Sequence, residues 1–407
     1  MIVLFLACTS AAPADDRADG DTDTREDTGA DTDTGADTGD GGDLDLWLAY
    51  LREDRDAALL DGSIAAGWPL YTEAGWLVVC AGCDGTWRVA GAHDGWAGAP
   101  MTAEDDFSWA VLTGDALGAY KFTDGDAWVA DPWSRVYGWD ENGEMSWARA
   151  EGRRMERHFG VEGGGLAART VRVLVPDAPV DRALYVHDGQ NLFGPGGDFG
   201  SWKLEESAPE GVLVVGIDND PWARMDEYTH VPDRIDGVTV GGRADDYAAV
   251  VEAARARVDA VYGEPPVVGT MGSSLGGLVS FVLMDRDPAA WDFAASLSGT
   301  MGWGSIGAQN ETILDRVRGA GRRSTTLYLD SGGSGSSCAD ADGDGTDDDD
   351  PTARDNYCEN VQLRDLLAAE GYAYEVDLWH WHEPGAAHSE AAWAARVARP
   401  MAIFAAL

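Results

Sequence analysis

Residues 267–278 read VVGTMGSSLGGL, and Gly272-Ser273-Ser274-Leu275-Gly276 within them fits the pattern G-x-S-x-G. An apolar run leads into the pattern and a helix-compatible run follows. A serine hydroxyl is a weak nucleophile until a neighbouring base takes its proton. Small residues around it permit the tight strand-to-helix turn that projects the hydroxyl from a sheet edge. The helix that follows turns its first amides toward the same point and favours negative charge developing there. Ser274 is the candidate nucleophile for acyl transfer, and Ser273 is a rival hydroxyl off the pattern's serine position. A base must be one of seven histidines: His93, His158, His187, His230, His380, His382 and His388. His388 follows the last apolar run, EVDLWHW, in a Gly/Ala loop ahead of a helical stretch. His380 and His382 lie in that run itself, where packing or a cleft wall is their expected role.

The elements that must hold these residues alternate. TVRVLVP, ALYVHDG, VLVVGID, PVVGTMGSS, FAASLSG and TLYLDSG are compact apolar strands, and DDYAAVVEAARARVDAVYG and VQLRDLLAAEG are helical stretches between them. Continuous apolar strands alternating with helices imply an α/β fold with a mostly parallel sheet covered on both faces.

Further motifs accompany the serine. ALYVHDGQNLFG places H-D-G-Q-N-L-F, His187 to Phe193, at the end of a strand, and SWKLEE occupies 201–206. Arg224, Glu227 and Tyr228 form R-x-x-E-Y, and PGAAHSEAAW fills 384–393. Over about residues 155–407 the chain resembles the Putative esterase family of α/β-hydrolases, which includes enterochelin esterase and esterase D-like enzymes. The resemblance implies carboxylic ester hydrolysis through an acyl-enzyme. His388 matches the family's G-x-x-H-x-E-x-x-W base. The oxyanion hole would use the backbone amides of Leu275 and Gln190. The acid should follow the strand TLYLDSG, with Asp355 matching the family register and Asp330, which ends the strand, as the alternative. His187, Asp188, Arg224 and Trp202 are candidates for the substrate cleft, with a structural hydrogen-bonding role as the other reading of His187. The expected substrate is a siderophore ester or a polysaccharide-linked acyl ester, and no catalytic cofactor is expected. Alternatives are an acyltransferase, or a surface carbohydrate-binding lipoprotein with an inactive hydrolase fold.

The loop after TLYLDSG is enlarged to SGGSGSSCADADGDGTDDDDPTARDNYCEN. Asp340, Asp342 and Asp344 alternate and end in Gly345, as calcium loops do. Position 12 would be Pro351, which excludes a full EF-hand. A repeat-type Ca2+ site adding Asp348 is the expectation, with a solvated acidic loop as the alternative. Of five cysteines, Cys338 and Cys358 bracket this loop, and Cys80 and Cys83 form C-A-G-C. Setting Cys8 aside, an even count in an exported chain reads as two disulfides.

The 407 residues exceed one ordinary domain of roughly 100–200 residues. MIVLFLAC at 1–8 resembles a bacterial lipoprotein signal with Cys8 as the lipidated residue. It is too short to span a bilayer. Residues 9–43 are an Asp/Thr/Gly tether without recurring apolar positions and are expected to be disordered. Export to the bacterial cell envelope follows, either lipid-anchored or secreted, with membrane contact only through the lipid. Residues 44–150 begin with a helical stretch and continue as short alternating strands, WLVVC, TWRVAGA, FSWAVL and AYKFTD, that form a small β-sandwich. Gly91, Gly95, Trp96, Met101, Tyr120, Lys121, Phe122, Trp128, Asp131 and Pro132 give this segment a resemblance to early-set immunoglobulin-like modules. Its aromatics are expected in the sandwich core or at a domain interface. Residues 151–407 form the hydrolase domain. A net charge of −43, from 29 basic and 72 acidic residues, excludes nucleic acid as a partner, because phosphate contacts need clustered Lys and Arg.

Overall fold

The computed structural model describes residues 67–407, with Leu44, Trp47, Leu48 and Arg52 ahead of them, except residues 73, 84, 105, 106, 114–117, 149, 196, 198, 336 and 350–354. The Cys8 signal, the 9–43 tether and most of the helical stretch before residue 67 lie outside the described residues. All described residues fall in one compact unit spanning 41–407. No helix among them is long and apolar enough to cross a membrane.

The C-terminal part is built on eight strands: β1 (Arg154–Val161), β2 (Arg169–Val175), β3 (Arg182–His187), β4 (Val212–Ile217), β5 (Val267–Ser273), β6 (Phe293–Leu297), β7 (Thr326–Ser331) and β8 (Leu378–His382). They lie across the sheet in the order β8-β7-β6-β5-β3-β4-β2-β1. From β3 to β8 every pairing is parallel, while β2 runs antiparallel to β4 and to β1. Parallel strands need crossovers, and the covering helices supply them. These helices are α1 (Ala244–Tyr262), α2 (Leu275–Arg286), α3 (Tyr357–Ala369), α4 (Glu390–Arg396) and α5 (Ala398–Ala405). Alternation along each strand sends successive side chains to opposite faces. Tyr185 and Val173 therefore join the core under α1 and α2. Their neighbours Leu184, Val186 and Leu174 join Trp393, Met401 and Phe404 of α4 and α5 on the other face. Every residue of β4 and β6 is buried, as a two-sided core demands.

Ahead of this sheet, Gly75–Ala81 and Phe107–Leu112 pair antiparallel, as do Arg88–Gly91 and Ala119–Thr123. Val78, Cys80 and Leu112 of the first pair pack on Val89, Tyr120 and Phe122 of the second. The second sheet does not stop there. Ala119–Thr123 pairs with Gly143–Trp147, which pairs with Val136–Asp140, and Val136–Asp140 pairs with β1. The 136–147 hairpin and β1 carry too many polar residues to read as strands from alternation alone. One expectation for the aromatics needs correcting: Tyr120 and Phe122 are core, but Trp96 and Trp128 are 41% and 48% exposed and face each other at 6.2 Å between ring centroids. Trp96 is held outward at φ 68° in a turn whose amides, from Gly91, Trp96 and Gly98, donate to the Asp94 carboxylate.

Candidate active site

Ser274 sits between the end of β5 and the start of α2 with φ 56° and ψ −126°. For a residue with a side chain this is a strained backbone, costing about 1–3 kcal/mol, and such strain persists only where the surroundings enforce it. The neighbouring glycines show how tight the turn is. A Cβ at Gly272 would stand 2.5 Å from the Gly276 carbonyl carbon and oxygen, and one at Gly276 would stand 3.2 Å from the Asp188 carboxylate. The turn is tied on both sides: the Ser274 amide donates to the Leu297 carbonyl at 3.0 Å, and the Thr300 amide donates to the Ser274 carbonyl at 3.2 Å. Ser273 is 3% exposed and belongs to the strand core.

At the same carboxyl edge of the sheet, His388 Nδ1 lies 2.7 Å from Asp355 Oδ1. The His388 side chain is 36% exposed, while that of Asp355 is fully buried. The other carboxylate oxygen, Oδ2, accepts the Ser298 hydroxyl at 2.7 Å, a short bond from the Gly332 amide, and the Arg396 guanidinium at 3.4 Å. Donors thus crowd one oxygen and leave Oδ1 for the imidazole. The Trp393 ring meets His388 edge-on at 4.9 Å between centroids. Asn356 donates its side-chain amide to the Ser298 carbonyl at 2.9 Å and to Thr300 Oγ1 at 3.2 Å, so the acid-bearing segment is stitched to the loop that holds Ser274. Asp330 lies elsewhere. Its carboxylate accepts the Tyr328 hydroxyl and the Arg396 Nε–H, each at 3.0 Å. Burial lifts the Asp330 carboxyl to about 6 despite Arg396.

The H-D-G-Q turn follows β3. Asp188 takes φ 63°, and Gly189 begins a single 3-10 turn, Gly189–Asn191. Leu275 opens α2, so its amide has no acceptor in its own helix. Gln190 turns its side-chain oxygen to the Asn219 amide at 3.1 Å. His187 and Asp188 are buried, as is Trp202. They support the site from beneath; burial corrects the cleft placement of Asp188 and Trp202, while His187 takes the structural hydrogen-bonding role that is its other reading. His187 bonds the Tyr247 hydroxyl at 2.8 Å and Thr270 Oγ1 at 3.1 Å, and burial depresses its imidazole to about 4. Trp202 packs on Trp393 at 6.2 Å. Arg224 grips Asp188 through two bonds of 2.7 and 2.8 Å. Burial opposes the Asp188 charge, but Arg224 outweighs it and holds the carboxyl below its usual range. Of the rest of R-x-x-E-Y, Tyr228 reaches the same turn. Glu227 pairs with Arg169 in the core at 2.6 Å, and the Tyr228 hydroxyl accepts the Asp188 amide at 3.2 Å. Sequence reasoning missed Ser298, Asn219 and Arg396, whose partners are distant in the chain. Trp393 was visible only as the last residue of PGAAHSEAAW.

The acidic loop leads into Asp355. Cys338 and Cys358 are joined, as are Cys80 and Cys83. Asp349 accepts the amides of Tyr357 and Cys358 at 3.0 and 2.8 Å and so anchors the start of α3. Asp340, Asp342 and Asp344 bring carboxylate oxygens within 4.8 Å of one another. Asp348 is not part of this trio; its carboxylate accepts the Ala341 amide at 2.9 Å.

The Putative esterase family model matches residues 167–402, more than half of the chain. The fold is similar to that of the enterobactin esterase FES from Shigella flexneri, at 14% identity and TM-score 0.46, covering 81% of this chain and 92% of that one. It is also similar to the ferric enterobactin esterase of Salmonella typhimurium, at 15% identity and TM-score 0.44 over 82% and 95% of the two chains. The siderophore hydrolase EstB from Aspergillus nidulans matches at 18% identity and TM-score 0.41 over 60% and 93%. No curated protein matches the sequence. On the family match, set beside the serine elbow and the H-D-G-Q turn that it spans, the chain belongs to the Putative esterase family and is an ester hydrolase.

Proposed function

We propose that the chain hydrolyses carboxylic esters by a Ser274-His388-Asp355 triad. The observation that carries the reading is the His388–Asp355 hydrogen bond of 2.7 Å at the sheet edge where Ser274 is held in a strained turn. Asp355 accepts the Nδ1 proton, which leaves His388 Nε2 free to take the Ser274 proton as Oγ attacks the acyl carbon. The oxyanion is met by the Leu275 and Gln190 amides. His388 then protonates the departing alcohol, activates water, and the acyl-enzyme is cleaved. Turnover of p-nitrophenyl acetate by wild type and Ser274→Ala tests this: the variant should lose activity, and equal rates overturn the assignment.

For the substrate we favour a small ester without net negative charge. The chain carries −43, and Arg224, a cation beside the H-D-G-Q turn, is already neutralised by Asp188. Phe199 and Trp222, 72% and 78% exposed, stand on the loops after β3 and β4, which approach Gln190 through Gly197 and Asn219, and they suit a flat apolar substituent. A panel of p-nitrophenyl acetate, methyl ferulate and a catecholate siderophore lactone ranks the classes, with methyl ferulate expected to exceed the anionic lactone in kcat/KM. The two disulfides support an oxidising compartment and thus export. The Cys8 lipid anchor and the envelope location are proposals that rest on the first eight residues.

A further inference from the structure

Resting on the triad reading, we propose that Arg396 is a positioning residue: it bridges Asp355 and the otherwise unused Asp330, fixing the direction in which Asp355 faces His388 and setting the net charge beneath the imidazole. The arrangement is entirely internal. The side chains of Arg396, Asp330 and Asp355 are 2%, 0% and 0% exposed. Arg396 Nε donates to Asp330 Oδ1 at 3.0 Å, while Nη2 donates a short bond to Ser298 Oγ and reaches Asp355 Oδ2 at 3.4 Å. Trp393 Nε1 also donates to Ser298 Oγ, at 3.2 Å. With both acceptor sites of that hydroxyl addressed by N–H donors, its own proton has one destination, Asp355 Oδ2. One guanidinium at the end of α4 therefore ties β7, the turn after β6, the segment before α3 and, through Asp355, the catalytic imidazole.

The charge count explains why Asp330 is there. Above about pH 6, where Asp330 gives up its proton, two buried carboxylates and one guanidinium leave a single negative charge. When His388 takes the Ser274 proton, that charge is balanced. Without Arg396 the two carboxylates would face each other uncompensated, a costly state in a dry interior. Asp330 is faced by the Tyr328 hydroxyl, Arg396 and Asp355, with Arg399 acting on Tyr328. Asp355 is faced by His388, Arg396, Ser298, the Gly332 amide and the carboxylates of Asp330 and Asp349, and Glu390 faces His388.

The proposal predicts opposite pH effects from neighbouring substitutions. Arg396→Gln adds a net negative charge beneath His388. It favours the imidazolium and moves the acidic limb of the kcat/KM profile up by about one pH unit. Asp330→Asn removes the negative charge that Asp330 carries above about 6 and moves the limb down in that range. The double variant restores one net negative charge and should return the limb near its wild-type position. KM for p-nitrophenyl acetate should change little in all three, since none touches substrate. Arg396→Lys keeps the charge and should keep the limb while lowering kcat, which covers the case that Arg396→Gln does not fold. Limbs that stay at the wild-type pH while melting temperatures fall, or a Lys variant that shifts as Gln does, would show a purely structural residue and overturn the proposal. Ser274→Ala and Asp355→Asn are measured alongside. If they retain wild-type turnover the triad reading fails, whereas loss of their activity with unmoved limbs in the Arg396 and Asp330 variants rejects only the positioning role.

Discussion

Replacing Asp355 by Asn separates orientation from volume. An amide has one acceptor oxygen and one two-proton donor, so it must choose which side each faces. In the wild type, the Oδ2 side receives three donors, from Ser298, Gly332 and Arg396, and the Oδ1 side receives one, from His388. Placing the NH2 toward three donors loses three bonds; placing it toward His388 loses one. The amide oxygen therefore takes the Oδ2 side and the NH2 faces His388 Nδ1. Nδ1 must then become an acceptor, which puts the remaining imidazole proton on Nε2, where it blocks proton transfer from Ser274. The wrong tautomer in such a triad costs roughly 10^4 in kcat, or about 5.4 kcal/mol of barrier. The fold should persist, because shape is preserved and Arg396 keeps Asp330. Steady-state hydrolysis of p-nitrophenyl acetate, with thermal melting on the same samples, measures both. A loss of less than tenfold at an unchanged melting temperature would refute the tautomer reasoning.

Arg224→Met leaves Asp188 as an unpaired buried carboxylate and should destabilise the chain by about 3–5 kcal/mol, with Asp188→Asn in the same chain recovering much of it in urea unfolding. His187 is pushed down to about 4 by burial; a depressed imidazole binds its proton more weakly folded than unfolded, so its contribution is complete above the unfolded value of about 6.5 and is lost as pH falls toward 4, on the order of 3 kcal/mol. Unfolding free energies of wild type and His187→Gln across pH 4–7 should therefore diverge in slope, and parallel curves would contradict the assignment. The calcium reading of the acidic loop predicts a higher melting temperature in millimolar calcium than in chelator, lost in Asp340→Asn/Asp344→Asn; identical melting returns the loop to a solvated one.

Reading from sequence succeeded where local chemistry dictates local structure. The runs VLVVGI and FAASL can only be two-sided core strands, and the GSSLG glycines can only be a tight turn, since a Cβ at Gly272 meets the Gly276 backbone. The H-D-G-Q turn was legible as a motif, but not as a buried support. Its role depends on Arg224, Tyr228 and Asn219, which approach only when β3 and β4 lie side by side. Arg396 was invisible for the same reason: a lone arginine near a helix end resembles a solvated one until β7 and the Asp355 segment close over it. The polar residues of β1, such as Glu156, Arg157 and His158, hid a strand whose charges are paired within the fold.

That pairing gives the front of the chain a mechanical role. Met155 and Glu156 of β1 take backbone partners from Tyr137 and Val136, and Arg157 donates to the carbonyls of Ser134 and Asp131 at 2.8 and 2.9 Å. A chain begun at residue 151 would expose one side of β1 as a bare row of amides and carbonyls, a template for strand addition by a second molecule. It would also strand the Arg157 guanidinium. Residues 67–147 thus serve as the seam that closes the esterase sheet, and separating the two halves should yield aggregation in place of a free-standing enzyme.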